Sequence, residues 1–338
     1  MTHSVSLRWG LIGTSGFADQ IFAPVLKHAG QTLLGAAGSA PAHSAAFAQR
    51  HDCPHSYASV ENLLDDPEID AVWIASPNAL HEPHIAAALR QGKHVLAEKP
   101  LATTGDAAAS LAHLAMSVDR RLAVGYQARF HPGLRDLRAL IQDGALGTVA
   151  FIRSSWQTQY PKLPGEWRLN LETSGGWSLM DIGTHTLDVA LWLSGFPKTR
   201  LLGASLSTHH WPVTVDDLSL LLLALEDARA VTEAATGIAG PVNRVEVYGT
   251  EGWAIATGVF VNRLGLAGGE LTTSTGIQRT YDDAPNPYER QAAAFAAWIT
   301  GEEYAGAPAG DGAINVAILE SARNMSSLSA TTRDPGGQ

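Results

Sequence analysis

Short apolar runs alternate with longer amphipathic stretches through the first third of the chain. The apolar runs, which predict strands buried on both faces of a parallel sheet, are residues 7–12, 32–37, 71–75, 94–97 and 121–124. The stretches between them predict helices over residues 18–28, 41–50, 60–65, 81–91 and 104–118, the last beginning near a Thr-x-x-Asp pair. This order predicts a doubly wound α/β domain, which we place over residues 1–125.

After Gly125 the pattern changes to segments in which apolar and polar residues alternate, as in half-exposed antiparallel strands. Strands are predicted over residues 149–156, 201–207, 217–225, 230–235, 242–248 and 253–256. Helices are predicted over residues 132–143, 288–299 and 312–329, and the tail from Thr331 is expected to fray. Residues 126–338 therefore predict an α+β domain with one large, open, mainly antiparallel sheet and helices on one face.

Length, charge, cysteine content and the length of apolar runs limit the number of domains, the partners and the compartment that we expect for this protein. A chain of 338 residues fits two domains, and its 33 acidic and 23 basic residues give a net charge of -10, which disfavours nucleic acid and anionic membranes as partners. Cys53 is the single cysteine, so we expect a reducing, cytoplasmic compartment. The longest apolar run, residues 218–225, is far shorter than the roughly 18 residues that a membrane helix needs.

A glycine-rich turn follows the first predicted strand and opens a helix. Its residues are Gly13, Thr14, Ser15, Gly16 and Phe17. In this context backbone N–H groups can bind the pyrophosphate of a dinucleotide. Ser15 replaces the second glycine of the G-x-G-x-x-G/A pattern, so a plain tight turn remains the alternative.

The end of the second predicted strand carries no acidic residue that would hydrogen-bond to the ribose 2'-hydroxyl of NAD. Ser39 and His43 stand there instead, with Arg50 further along, so a 2'-phosphate is not excluded and NADP is favoured over NAD. The alternatives are that Ser39 is a helix cap and that His43 is an ordinary surface histidine.

Three motifs occur in order along the chain: Ala75-Ser-Pro-Asn-Ala-Leu-His81, Gly92-Lys-His-Val-Leu-Ala-Glu-Lys-Pro100 and Gly175-Gly-Trp-Ser-Leu-Met-Asp-Ile-Gly-Thr-His185. In this order and spacing they resemble the Gfo/Idh/MocA oxidoreductases, over residues from about 7 to 330. The resemblance implies a Rossmann domain and NAD(P)-dependent hydride transfer to or from a sugar, a sugar derivative or a cyclitol. Sugar-acting members commonly carry an arginine near the place of His43, so their cofactor preference does not transfer directly.

Lys99 follows a predicted parallel strand at its carboxyl end, where α/β sheets place ligands. Its ammonium could polarise a substrate oxygen, and the resemblance implies that it lies beside the nicotinamide and the substrate. The alternative is a lysine at an ordinary helix start.

Asp181 and His185 are four residues apart in a segment patterned as a helix, so both side chains are expected on one face. Histidine titrates near neutral pH, which suits His185 as the acid/base that exchanges a proton with the reacting oxygen. The resemblance implies that Asp181 contacts substrate hydroxyls or tunes the imidazole. A purely structural polar pair remains the alternative, and no further His or Cys cluster completes a metal site with Asp188.

The resemblance implies further contacts, for which core packing and helix capping are the alternatives. The implied cofactor contacts are Ser76, Asn78, His81, Glu98, Lys99, Trp167 and Arg168. The implied substrate contacts, besides Lys99, Asp181 and His185, are Arg129 and Tyr288.

These features predict a dehydrogenase or reductase with a small carbohydrate substrate and no metal. One competing hypothesis is a glycosidase that uses retained NAD(P) for transient oxidation, which net cofactor turnover would exclude. Another is a non-catalytic nucleotide-binding sensor, against which Lys99, Asp181 and His185 together argue. The resemblance also implies a homo-oligomer.

Overall fold

The structure of the chain is a computed structural model that describes residues 6–163, 165–261, 263–326 and 329–330. Spatial proximity divides the chain into two compact units. Among the described residues, the first comprises 6–135, 261, 263–269 and 280–317, and the second comprises 136–163, 165–260, 270–279, 318–326 and 329–330. Both units are discontinuous in sequence, since residues beyond 260 are shared between them, and a single boundary after residue 125 stays a prediction.

The first unit contains a seven-stranded sheet. Its strands are β1 (Arg8–Ile12), β2 (Thr32–Ala37), β3 (His55–Ser56), β4 (Ala71–Ile74), β5 (His94–Ala97), β6 (Leu122–Val124) and β15 (Ala307–Pro308). They lie in the order β15-β6-β5-β4-β1-β2-β3, in which β1 to β6 are parallel and β15 runs antiparallel to β6. This is the strand order of a dinucleotide-binding doubly wound sheet, so the predicted fold class is confirmed for this unit.

Helices connect these strands. They are α1 (Ala23–His28), α2 (Pro41–Arg50), α3 (Val60–Leu64), α4 (His81–Arg90), α5 (Gly105–Ser117) and α10 (Pro287–Ile299). The helix predicted over residues 18–28 begins as a π-helical turn, Ala18–Phe22. Thr104 caps α5 by accepting a hydrogen bond from Ala107 N, so Thr103 of the predicted Thr-x-x-Asp pair is not the cap.

The second unit contains a nine-stranded open sheet. Its strands are β7 (Val149–Gln159), β8 (Thr199–Thr208), β9 (Leu218–Leu225), β10 (Ala228–Ala235), β11 (Gly237–Gly249), β12 (Trp253–Thr257), β13 (Glu270–Thr273), β14 (Gln278–Thr280) and β16 (Ser329–Ala330). They lie in the order β14-β13-β12-β11-β7-β10-β9-β8-β16. Most pairs are antiparallel, whereas β7 pairs with β10 and β8 with β16 in parallel, so the mainly antiparallel prediction is confirmed.

The helical segments of the second unit are short. They are α7 (Glu166–Leu169), α8 (Leu171–Ser174), a π-helical turn (Leu179–Gly183) and α9 (Thr184–Leu193). Two longer helices, α6 (Pro132–Gln142) and α11 (Ala309–Met325), include residues of both units. The tail predicted to fray from Thr331 lies outside the described residues. Among the helices that are described, none is long and apolar enough to cross a membrane.

Candidate cofactor and catalytic sites

The turn after β1 has the geometry of a dinucleotide-binding loop. Gly13 has φ +106°, and a Cβ there would lie 2.7 Å from the carbonyl oxygen of Ala75, so the turn requires glycine. Gly16 is exposed, and a Cβ there would meet nothing within 4 Å, which leaves open space above the turn. Ala18 N lies 3.4 Å from Ser15 Oγ, so the helix starts directly at the turn.

Thr14 and Phe17 join this loop to neighbouring segments of the first unit. A Cβ on Gly38 would come within 2.5 Å of Thr14 Oγ1, so the loop packs closely against the end of β2. The ring of Phe17 is 38% exposed, and its centroid lies 6.2 Å from that of Tyr288. Tyr288 is buried and accepts a hydrogen bond from Gln127 Nε2 at 2.9 Å. Tyr288 thus supports Phe17, and its contact with substrate stays a prediction.

The segment after β2 is fixed by a residue that was not predicted. Ser44 is buried, and its Oγ accepts a hydrogen bond from Gly38 N at 2.9 Å. Ser39 Oγ and His43 Nδ1 lie 3.0 Å apart near the surface. Ala40 occupies the cap position of α2, so the alternative interpretation of Ser39 as a helix cap is wrong.

Arg50, a candidate for a phosphate contact, forms an ion pair instead. Its Nη2 lies 2.8 Å from Asp19 Oδ2, and His51 Nε2 lies 2.8 Å from Asp19 Oδ1. Burial alone would raise the pKa of Asp19, but hydrogen bonds from His51 and Arg50 lower it. This ion pair joins α2 to the first helical turn after the glycine-rich loop.

The turns after β4 and β5 are joined by one buried histidine. His81 is 1% exposed, and its Nδ1 and Nε2 lie 2.7 Å from Pro100 O and 2.8 Å from Ser76 O. Ser76 Oγ lies 3.0 Å from His84 Nδ1, and Asn78 stands in the short helical turn that precedes α4. The predicted cofactor residues Ser76, Asn78 and His81 therefore lie together after β4.

Lys99 lies in the turn between β5 and α5. Because α5 begins at Gly105, the alternative of an ordinary lysine at a helix start is wrong. Glu98 N donates to Ile74 O at 2.8 Å, which ties the turn to β4. The Glu98 carboxylate accepts a hydrogen bond from Trp73 Nε1 at 3.2 Å. The main chain is therefore fixed immediately before Lys99.

A second cluster of predicted residues lies in the second unit. Asp181 Oδ2 accepts a hydrogen bond from Tyr160 OH at 3.1 Å and lies 3.5 Å from Arg168 Nε. The guanidinium of Arg168 stands over the indole of Trp167, 4.3 Å from its centroid. The structure thus brings Trp167, Arg168 and Asp181 together, whereas their contacts with ligands stay predictions.

Tyr160 was not predicted. It follows β7, and its ring is stacked on Trp177 with a centroid distance of 5.8 Å. Burial, reinforced by the charge of Asp181, raises the pKa of Tyr160 well above its ordinary value, so the hydroxyl stays protonated and donates a hydrogen bond to Asp181. Spacing along the chain gave no signal, because β7 and the Asp181 turn are distant in sequence.

His185 is 3% exposed in the second unit, and its ring centroid lies 5.5 Å from that of Trp156. Asp181 lies in the π-helical turn Leu179–Gly183, which directly precedes α9, and His185 is the second residue of α9. The π turn runs directly into α9, so Asp181 and His185 lie in one continuous helical segment whose first turn is wider than an α turn. The predicted helical segment is therefore present, with a π-helical first turn that the sequence did not predict, and a functional pairing of Asp181 and His185 stays a prediction.

A buried carboxylate that was also not predicted holds the start of this helical segment. Asp216 is 2% exposed, and its two oxygens accept hydrogen bonds from Trp177 N at 2.9 Å and Leu179 N at 2.6 Å. Burial raises the pKa of Asp216 to about 6, against these two bonds, which lower it. Asp216 therefore orients the turn that carries Asp181.

Arg129, the predicted substrate contact, is 1% exposed. Its Nη1 lies 2.6 Å from Asp311 Oδ2 and 3.1 Å from Gly306 O. Asp311 is 182 residues away along the chain, so spacing gave no indication of this pair. The contacts favour a structural role, and a contact of Arg129 with substrate stays a prediction.

The first unit fits a dinucleotide, since three turns meet at the carboxyl edge of adjacent strands. Gly13 approaches Ala75 after β4, and His81 joins Ser76 to the turn that holds Lys99. This edge is where doubly wound sheets bind dinucleotides. In the part of the chain that the structure describes, no group of three His, Cys, Asp or Glu side chains is arranged to hold a metal ion.

Two family models match successive parts of the chain. One, described as "Oxidoreductase family, NAD-binding Rossmann fold", matches residues 7–126. The other, described as "GFO/IDH/MocA C-terminal domain", matches residues 134–255.

Individual relatives match over nearly the whole chain. The 1,5-anhydro-D-fructose reductase of Ensifer adhaerens is 29% identical over 92% of this chain and 93% of its own length. The D-xylose 1-dehydrogenase (NADP(+)) 2 of Haloferax volcanii is 29% identical over 88% of this chain and 90% of its own. The crystal structure of aldose-aldose oxidoreductase from Caulobacter crescentus, complexed with glycerol, has a TM-score of 0.83 and 26% identity and covers 95% of this chain and 97% of that chain.

Proposed function

The chain belongs to the Gfo/Idh/MocA oxidoreductase family, and we propose that it moves a hydride between NADP(H) or NAD(H) and a hydroxyl or carbonyl group of a sugar, a sugar derivative or a cyclitol. The resemblance on which this family was expected is thereby confirmed. The observation that carries the proposal is the meeting of the turns that hold Gly13, Ser76 and Lys99 at one sheet edge of the first unit. Relatives named for sugar and aldose substrates support the substrate class.

The residues of the chain supply charge and a proton, while the bound nicotinamide supplies or accepts the hydride. In the reducing direction, Lys99 polarises the substrate carbonyl and stabilises the negative charge that develops on its oxygen. His185 gives that oxygen a proton, and in the oxidising direction it takes the proton back. Asp181, oriented by Tyr160 and Arg168, contacts neighbouring substrate hydroxyls.

We assign NADP(H) as the preferred cofactor and NAD(H) as the second. The absence of an acid after β2 in the sequence supports this, since a carboxylate there would repel a 2'-phosphate. Ser39 and His43 are the proposed phosphate contacts, because Arg50 is paired with Asp19. A kcat/KM for NADP+ below that for NAD+ would reverse the assignment.

The decisive experiment follows nicotinamide absorbance with purified protein. NADP+ and NAD+ are tested with aldoses, inositols and anhydrosugars, and the reduced cofactors are tested with keto-sugars. We expect turnover with at least one pair. Tight cofactor binding without turnover on any substrate would contradict a dehydrogenase.

Variants test the assigned roles. We expect Lys99→Ala and His185→Asn each to lower kcat by a factor on the order of 100 or more, because each removes a group that acts on the reacting oxygen. Lys27→Ala, a change at an exposed residue of α1, is the matched control and should leave kcat unchanged. The roles fail if either site variant retains full kcat.

We also propose that the chain forms a homo-oligomer through the second sheet. Leu220 and Leu222 on β9 are 37% and 42% exposed and point to the same side of the strand, since residues two apart share a face. Trp253 on β12 is 37% exposed. Neighbouring exposed apolar side chains on one face of a sheet, such as Leu220 and Leu222, are typical of a protein–protein contact surface. Sedimentation should show an oligomer that Leu222→Lys dissociates, whereas a wild-type monomer would contradict this proposal.

The two competing hypotheses, a glycosidase with retained cofactor and a nucleotide-binding sensor, receive no support from the relatives named above. A cytoplasmic location and the exclusion of nucleic acid partners stay predictions from the sequence.

A further inference from the structure

His81 connects two turns of the proposed cofactor site through their backbone. Its Nδ1 lies 2.7 Å from Pro100 O, and its Nε2 lies 2.8 Å from Ser76 O. Ser76 lies in the turn after β4 and Pro100 in the turn after β5, and these two strands are neighbours in the sheet. One rigid ring therefore sets the distance between the two turns.

The ring has no nitrogen directed towards a ligand. It is 1% exposed, and both nitrogens face carbonyl oxygens, which only accept hydrogen bonds. Burial is the largest cause that lowers the pKa of His81 to about 4, and the nearby charges of His84 and Lys99 act in the same direction. The two carbonyl contacts raise the pKa but do not offset the burial. At neutral pH the ring is therefore uncharged and carries one N–H, which we assign to Nδ1, because Nδ1 is the nitrogen that lies closer to its carbonyl, Pro100 O.

The contact with Pro100 matters because Lys99 precedes it directly. On the other side of Lys99, Glu98 N donates to Ile74 O at 2.8 Å. The main chain of Lys99 is thus held from both sides, by β4 before it and by His81 after it.

We propose that His81 is a positioning residue that acts through the Pro100 carbonyl to hold Lys99 in place for hydride transfer, and that it does not itself touch the dinucleotide. This role rests on the proposed function and changes the cofactor contact that the resemblance implies for His81.

Two amide variants separate the two contacts of the ring. In His81→Asn the side-chain amide reaches about as far as Nδ1 and can still donate to Pro100 O, whereas in His81→Gln it reaches about as far as Nε2 and can donate to Ser76 O. We expect His81→Gln to lower kcat at least about tenfold, because small displacements of a reacting group are costly, and His81→Asn to stay within about threefold. The KM for the cofactor should change little in both.

His94→Gln is the matched control for lost stability. His94 is the first residue of β5, at the end of the strand opposite to the turn that contains Pro100. Like His81 it is a histidine whose pKa is lowered to about 4 by burial, and it accepts a hydrogen bond from Arg121 N at 3.0 Å. Equal loss of kcat in all three variants would show a structural role only. A parallel rise of the cofactor KM in both His81 variants would show direct cofactor contact and overturn the proposal.

A second measurement does not depend on turnover. Lys99 is labelled with trace acetic anhydride in the full-length protein, and its rate is compared by mass spectrometry with those of Lys27 and Lys198. We expect His81→Gln to change the relative rate of Lys99 at least about threefold, and His81→Asn and His94→Gln to leave it unchanged. An unchanged rate in His81→Gln would overturn the proposal even if the protein turned over no sugar, so the two failures are distinguishable.

Discussion

Two glycines of the turn after β1 differ in what a methyl group would meet. At Gly13 it would lie 2.7 Å from Ala75 O at φ +106°, whereas at Gly16 it would meet nothing within 4 Å. We therefore expect Gly13→Ala to lower the Tm and Gly16→Ala to leave it unchanged while weakening NADPH binding about tenfold, since the methyl fills the space that a pyrophosphate would use. Fluorescence titration and thermal unfolding measure both. Full affinity in Gly16→Ala would place the pyrophosphate elsewhere.

The Tyr160 hydroxyl is one of the groups that orient the Asp181 carboxylate. Tyr160 donates to Asp181 Oδ2 at 3.1 Å, and a hydrogen bond to a charged group contributes about 1.5–3 kcal/mol. We expect Tyr160→Phe to lower kcat/KM for the sugar about tenfold or more and to leave cofactor affinity unchanged. Tyr304→Phe removes a buried hydroxyl that has no hydrogen-bond partner among the described residues, so it is the matched control. Similar kinetic losses in both variants would contradict a specific role.

At the scale of elements, two adjacent carboxylates before β9 hold two different segments. Asp216 accepts from the backbone of Trp177 and Leu179, and Asp217 accepts from the backbone of the loop at residues 209–211. We expect Asp216→Asn to speed hydrogen exchange of the amides at 177–185, because one accepting oxygen becomes a donor. Asp217→Asn, the matched control, should speed hydrogen exchange only of the loop amides at residues 209–211. Unchanged exchange at 177–185 in Asp216→Asn would contradict this role of the carboxylate.

Helices and strands in which apolar residues recur regularly were predictable from the sequence, whereas short or polar elements were not. The predicted ranges of β2, β5 and α2 coincide with the structure, because each is an apolar run or an amphipathic stretch with clear ends. β13 and β14 were missed, since Glu270–Thr273 and Gln278–Thr280 are short and rich in polar residues. Local pattern also cannot show a π turn, so the segment before α9 was predicted as helix without this detail.

The residues of the candidate site also fall into two groups, those that the sequence predicted and those that it missed. Gly13 and Lys99 were predicted as site residues because each follows a predicted strand, whereas Ser76 was implied by the family resemblance; the parallel order brings the ends of these strands to one edge. Tyr160, Asp216 and the partner of Arg129 were not found, because each acts across a large distance in sequence. Contacts of this kind are set by tertiary packing, which leaves no local period.

At the scale of the whole molecule, buried groups with opposed pKa shifts govern stability in mild acid. Burial lowers the pKa of His81, His94 and His131 from 6.5 to about 4. Between these values the native state keeps them neutral while the unfolded chain binds protons, so their contribution to stability is lost as pH falls from 6.5 to 4. Burial raises the pKa of Asp216 from 3.8 to about 6, so its contribution has the opposite sign and grows as pH falls through 6.

The three histidines together contribute more to the pH dependence than the single Asp216 carboxyl does, so the free energy of unfolding should fall from pH 6.5 towards pH 4. One proton corresponds to about 1.4 kcal/mol per pH unit. His131→Gln removes a group that binds a proton on unfolding, and we expect the pH dependence to become shallower by about that amount. Asp216→Asn removes a group that releases one, so the dependence should become steeper. Urea denaturation at several pH values measures these slopes, and slopes that change in the same direction in both variants would contradict the opposed shifts, because opposite signs are what the linkage requires.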